Sequence, residues 1–348
     1  MTSLAADSEF KIYAPSRVSQ ALLIAEAKVK DGKLSLKQVE SADLGFPAGS
    51  MTQHPEKPML YVSASGGEEG KVPGATVILN EQGFVEKVIP FKLKHGAAFL
   101  SLDRKNKFLL TANYGDGFVD VYSLDQSGVL KAHVSGLDEG RKNAHCVLPS
   151  PDNRFVYIPY VKDNNELYQY AFDENSGQLK ALDPKSASPP AGTGPRHMIY
   201  HPSLPTVYFS NEQGLGVSVY SRTGSGQLKI FQVCEAVEPA FDKQGITASD
   251  VVITPDGRFL FAGIRGLTRD FDKIARYKVL ADGQVELLGL TQADKIPWAL
   301  HLSPQGDYLM VSATRAATLT AFKIGDDGGL SISASLKWDA NLADIIIR

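Results

Sequence analysis

The chain has 348 residues, 43% of them hydrophobic and 22% charged, the composition of a globular protein with a large core. A formal net charge of −3, with no polybasic block and no aromatic–basic interleaving, argues against nucleic acid or an anionic membrane as partner. Two cysteines, Cys146 and Cys234, exclude a disulfide framework, and no CxxC or Cys/His zinc spacing occurs.

The first residues, MTSLAADSEFKIYAPS, lack the basic start and apolar run of a signal peptide. No apolar stretch approaches membrane-spanning length, so a reducing cytoplasm is the expected location. DSEFKIYAPSR (7–17) then reads as a strand, and QALLIAEAKVKDGKLSLKQVE (20–40) as two more joined by an Asp-Gly turn. A turn-plus-strand unit follows six times, starting at 54, 103, 150, 201, 254 and 303, at intervals of 47 to 53 residues. The copies are HPEKPMLYV, DRKNKFLLT, SPDNRFVYI, HPSLPTVYF, TPDGRFLFA and SPQGDYLMV. Tyr13 occupies the place held by Tyr61, Tyr157 and Tyr208.

Several units are preceded by a short apolar strand (AHCVLP, HMIYH, SDVVIT, WALHLS). A third strand follows, then a turn such as NSGQL, GSGQL or ADGQV, and a fourth strand. The chain closes on LADIIIR (342–348), which reads as another first strand.

Four antiparallel strands recurring about every 50 residues predict an all-β, seven-bladed β-propeller. Six blades are continuous, and the last is closed by N- and C-terminal strands, hiding its edges. The expected organisation is a single domain over residues 1–348. The dipeptide Trp338–Asp339 and the pair Gly66–Gly67 each occur once in such a setting, so neither marks a WD40 or kelch repeat.

In this architecture first strands begin, and second strands end, at one mouth of the central channel. First-strand starts supply His95, His145, Arg196, His197, Asp250 and Trp298; second-strand ends supply Asn113, Tyr114, Tyr160, Asn211, Glu212 and Arg265. Polar residues thus gather at one mouth while the strand interiors stay apolar. Each has a structural alternative: His145 as a core histidine, Glu212 as an ion-pair partner of Arg196, Asp250 as a turn cap. His197 and His201 have HxxxH spacing, but four strand residues span about 13 Å, too far for one ion. No metal and no cofactor are expected, and no GxSxG, HExxH or nucleotide-binding glycine pattern occurs.

TANYGDGFVDVYSLDQSG, AHCVLPSPDNRFVYIPYVKDN, GTGPRHMIYHP, SNEQGLGVSVY and VVITPDGRFLFAGIRG carry a resemblance. Over about residues 50 to 330 the chain resembles the seven-bladed propeller lactonase family. That family contains bacterial 6-phosphogluconolactonases of the cycloisomerase-2 type and fungal 3-carboxy-cis,cis-muconate lactonizing enzymes. IPYVKDNNELYQY is nearer the bacterial branch. The resemblance implies His145, Arg196, Glu212 and Arg265 as catalytic, with His197 following Arg196 in the same motif; placement at the mouth adds His95, Asn211, Asn113 and Asp250 around the substrate. Two positions depart from the family pattern: Ile264 precedes Arg265 where asparagine is usual, and Trp298 follows Pro297 where arginine is frequent.

The implied substrate is a small anionic lactone bearing carboxylate or phosphate, most closely 6-phosphogluconolactone, and the protein is expected to be a monomer. Glu212 or His145 would handle protons, while the arginines clamp the anion. Cycloisomerisation of a carboxymuconate at the same site, or ligand binding without catalysis, are the competing readings.

Overall fold

The computed structural model describes residues 7–338 and 341–348; Asp339 and the first six residues, read above as sequence, lie outside the described residues. Seven four-stranded antiparallel sheets make up the described chain. Counting from the first continuous blade, the inner strands are Ala48–Gln53, Phe99–Leu102, Leu148–Pro149, Pro195–Tyr200, Ile246–Ile253 and Pro297–Leu302. The seventh blade takes Ile346–Ile347 as its inner strand, pairing it with Ser8–Pro15 through Tyr13–Ile346. Lys11 and Arg348 exchange backbone hydrogen bonds beside that pair, at 2.8 and 3.0 Å.

Burial follows from this stacking. Second strands such as Met59–Ala64 and Phe155–Tyr160 are buried at every residue, because both faces meet neighbouring blades. Outer strands such as Leu228–Glu235 are mostly exposed or half-buried. Turns between first and second strands take positive φ where Asn153 and Gly257 stand, at 60° and 74°. A Cβ at Gly257 would lie 2.7 Å from His201, so only glycine fits that turn.

The recurring tyrosine has a physical function. Tyr13, Tyr61, Tyr157 and Tyr208 each donate a hydroxyl hydrogen bond to a glycine carbonyl in the next blade: Gly83, Gly128, Gly226 and Gly283, at 2.6 to 2.8 Å. The four hydroxyls latch adjacent blades at their buried seams. Tyr208→Phe therefore leaves the Gly283 carbonyl without its partner, and a destabilisation of about 1–2 kcal/mol is expected in urea unfolding.

A second recurrence positions the channel residues. Strand pairing slips by one residue between Ala48 and Ser50, Pro195 and Met198, Ala248 and Val251, and Pro297 and Ala299. Each slip is a β-bulge near the start of an inner strand, a device that re-aims side chains. Blade three is the extreme case. AHCVLP is not a continuous strand; only Leu148–Pro149 pairs regularly, and Ala144 makes an isolated bridge to Tyr160.

Candidate active site

The bulges put Arg196, His197, Asp250 and Trp298 on the wall of a channel cavity of about 1090 Å³, with His145 in the break of blade three. The cavity also meets Glu212 and Arg265, which stand where second strands finish. Sequence neighbours that would alternate on a regular strand, Arg196 and His197, thus share one space.

Arg196 is 1% exposed, and its Nε lies 3.3 Å from Glu212 Oε2. Arg265 Nη2 lies 3.9 Å from the same oxygen and donates to the Ala248 carbonyl at 3.0 Å. The Arg265 guanidinium sits 4.2 Å from the Trp298 ring centre and that of Arg196 5.9 Å, so the indole forms a shared π-face. One carboxylate thus stands against two buried guanidinium groups. Arg196 Nε and Nη1 and Arg265 Nε are buried with no hydrogen-bond partner among the described residues. Buried N–H donors left so are costly unless an anion meets them. Burial, and then the Arg196 charge, lower Arg265 to about 9, against the opposing pull of Glu212.

Beside this pair, His197 Nδ1 lies 2.8 Å from Asp250 Oδ1. The Asp250 carboxylate is fixed in turn by the N–H groups of Val251 (2.9 Å) and Leu300 (3.0 Å). His197 Nε2 is buried with no partner among the described residues. Burial and the Arg196 charge lower His197, with Asp250 opposing. Burial opposes ionisation of Asp250, but His197, the Leu300 N–H and Arg196 outweigh it and hold the carboxyl below its usual range. The ring is therefore neutral at pH 7, with its proton on the nitrogen facing Asp250 and a bare lone pair on Nε2. His145 packs 5.1 Å from His197 and 5.3 Å from Tyr114, ring centre to ring centre, and burial takes its pKa well below 6.5. Lys162, with φ of 58°, holds its Nζ 5.2 Å over Tyr114 at the rim.

The family model of the seven-bladed β-propeller lactonases matches residues 12–335. The chain belongs to that family. It is 29% identical over 322 residues to a 6-phosphogluconolactonase of Klebsiella pneumoniae, and 27% identical over 321 residues to one of Enterobacter. Each alignment covers 92% of both chains. Among solved structures, a periplasmic gluconolactonase of Pseudomonas aeruginosa superposes with a TM-score of 0.86 at 21% identity, covering 98% of this chain and 99% of that one. The family match extends into the N-terminal strands of the seventh blade, beyond the 50–330 span of the sequence resemblance.

This lactonase fold does not bring every expected residue to the cavity. His95 points to Asp120 (2.8 Å), stacks on Phe118 at 3.9 Å, and shares Asp120 with His133. The inner strand of blade two starts only at Phe99, so His95 belongs to the preceding loop. Asn113 is spent on that loop and on its own turn, donating to the Gly96 carbonyl (2.6 Å) and accepting from the Asp116 N–H (2.7 Å). Asn211 accepts from the Ser218 hydroxyl within blade four at 3.0 Å, because strand alternation sends it away from the wall that Glu212 reaches. Tyr160 donates to the Gly117 carbonyl, also off the cavity. Ile264 is fully buried in the seam between blades four and five.

Among the cavity residues that escaped the sequence reading are Arg17 and Asp344. Asp344 was legible in principle, since LADIIIR aligns with ASDVVIT and sets Asp344 opposite Asp250. Burial, with Asp250's charge adding and the Met51 N–H opposing, pushes the Asp344 carboxyl up to about 8. The folded chain then keeps a proton that the unfolded chain releases near pH 4. Its contribution to stability is full at acid pH and is lost as pH rises through about 8. The residue keeps some contact with the cavity, so the loss is roughly 2–3 kcal/mol. Asp344→Asn keeps an oxygen for the Met51 N–H, and its stability relative to wild type is expected to rise between pH 5 and pH 8 in urea unfolding.

Among the described residues, no group of three or more His, Cys, Asp and Glu side chains converges in a way that could hold a metal ion.

Proposed function

We propose that the chain is a lactone hydrolase acting on a sugar-acid lactone, with 6-phosphogluconolactone as substrate. One observation carries the reading: Arg196 Nη1 and Arg265 Nε, buried and without a partner among the described residues, stand beside an imidazole oriented by a carboxylate. Lactone opening needs those two elements. The N–H groups of Arg196 and Arg265 receive the carbonyl oxygen as it becomes an oxyanion. His197 Nε2 takes a proton from the attacking water as the new C–O bond forms. When the ring C–O bond breaks, the imidazolium returns that proton to the departing alkoxide, giving the open hydroxy acid. The positive charge on His197 is stabilised during this cycle by Asp250.

Glu212 and His145, the proton carriers suggested by the sequence, take other roles in this scheme. Glu212 stands against two guanidinium groups, at 3.3 Å from Arg196 and 3.9 Å from Arg265. It sets the spacing of the arginines. Among the described residues no carboxylate orients His145, and it packs against His197 to fix that ring's plane.

The names of the bacterial relatives support the substrate, and Arg17 on the cavity lining supplies positive charge for a phosphate. A cytoplasmic location goes with this proposal, since the charge of a phosphorylated sugar retains it inside a cell. A monomeric state goes with it too, because the ring closes its own sheet edges.

The test is hydrolysis of 6-phosphoglucono-δ-lactone, followed as acid release above the spontaneous rate, beside an unphosphorylated aldonolactone and 3-carboxymuconate. Saturable turnover of the phosphorylated lactone is expected. Turnover of 3-carboxymuconate alone would assign the site to cycloisomerisation, and turnover of none would leave a binding module.

A further inference from the structure

The channel has a second polar wall, opposite the chemistry, built by blades seven and one. Asp344 lies two residues before the inner strand of blade seven, and its Oδ2 accepts the Met51 N–H of blade one at 2.8 Å. Asp250 does the same in blade five, accepting the Leu300 N–H of blade six at 3.0 Å. Leu300 and Met51 occupy equivalent places, three residues after the start of their inner strands. The two carboxyls are therefore related by the pseudo-symmetry of the ring.

What separates them is the preceding blade. His197, which binds Asp250, is the third residue of its inner strand; the third residue in blade six is Ala299. No side chain among the described residues bonds Asp344, although it lines the cavity. Its raised pKa leaves it a neutral acid at pH 7, able both to donate and to accept a hydrogen bond.

Arg17 completes this wall. It follows the second strand of blade seven, as Arg265 lies at the end of the second strand of blade five, so both reach the same mouth. Its guanidinium covers Gly49 at the blade-one bulge, where a Cβ would come within 2.7 Å of Arg17 Nε. Gly49 holds the place that Arg196 holds in blade four, so one blade forgoes a side chain to admit another blade's arginine. Among the described residues Arg17 has no ion-pair partner, unlike Arg196 and Arg265.

We propose that this wall is the polyol and phosphate subsite of the chamber: Asp344 hydrogen-bonds the hydroxyls of the sugar part, and Arg17 pairs with the phosphate. The assignment rests on the lactone reading of the same cavity and extends it to the end of the substrate remote from the carbonyl. A cavity of about 1090 Å³ lies at the upper end of the usual range for small-molecule sites, with room for a ligand whose two ends meet different walls.

The experiment compares kcat/KM for 6-phosphoglucono-δ-lactone and glucono-δ-lactone in wild type, Arg17→Met, Asp344→Ala and Lys162→Met, with thermal melts as folding controls. Arg17→Met is expected to lower the phosphorylated-to-unphosphorylated ratio about tenfold or more, as loss of a charge-assisted hydrogen bond does. Asp344→Ala is expected to raise KM for both lactones, with kcat changing less. A ratio unmoved by Arg17→Met, or one abolished by Lys162→Met instead, would overturn the assignment. If neither lactone is turned over, the lactonase reading fails, and calorimetric binding of 6-phosphogluconate against gluconate reads the subsite by itself. Equal affinity of wild type and Arg17→Met for 6-phosphogluconate would then reject it.

Discussion

His197→Gln is expected to lower kcat by about 10²–10⁴-fold while KM moves little, because it removes a base that acts only as the water is deprotonated. Glutamine is neutral, as the imidazole is at pH 7, so the fold has no new buried charge to accommodate. The pH profile separates this role from a structural one. Burial and Arg196 lower the pKa of His197 from 6.5, so the acid limb of kcat/KM falls below that value. Activity is lost as pH drops through the depressed pKa and is retained above it. Asp250→Asn removes the negative charge that stabilises the imidazolium and turns one of the two accepting oxygens into an NH2 group, so kcat should fall. A His197→Gln enzyme with an unaltered acid limb would show that another group supplies the base.

The second large effect is at Arg196. Its buried Nη1, which no carboxylate among the described residues faces, is the donor left for a developing oxyanion, and Arg196→Met is expected to cost about 10²–10³-fold in kcat. Arg196→Lys should not restore it, because the planar guanidinium faces Glu212 with Nε while offering Nη1 elsewhere, and a compact ammonium has no such fixed fork. Stability falls as well, since Glu212 keeps only the longer 3.9 Å contact to Arg265. Adding Glu212→Gln to Arg196→Met should recover part of that stability but none of the rate. Chemical unfolding and steady-state kinetics on the same four proteins separate the two losses.

The ring of blades was readable from residues alone. The evidence lay in the six spaced turn units, the tyrosine that reappears as Tyr13, and LADIIIR standing as a lone first strand. These are local signals, and the fold repeats them where the stacking needs them. GPRH and the following Asn211–Glu212 also led to one mouth of the channel, where Arg196, His197 and Glu212 meet.

The rest depended on backbone irregularity, which composition does not announce. Pairing slips in blades four and five turn Arg196, His197 and Asp250 to the same wall, whereas simple alternation would separate the first two. Gly96 presses against the Ser65 carbonyl, where a Cβ would lie at 2.5 Å. The chain therefore crosses from blade one as a loop, and His95 and Asn113 are used to hold that crossing. Arg17 was invisible for another reason: its target is the missing side chain of Gly49, far away in another blade's bulge. The role of His197 was hidden likewise, because its partner Asp250 stands 53 residues away.

The most direct measurement is a crystal structure with 6-phosphogluconate, the product of the proposed reaction. The new carboxylate should lie about 3 Å from the Arg196 and Arg265 guanidinium groups, with one oxygen within hydrogen-bonding distance of His197 Nε2. A carboxylate bound at the opposite mouth, beside Glu56 and Asn106, or no binding at millimolar product, would contradict the assignment of this chamber to lactone hydrolysis.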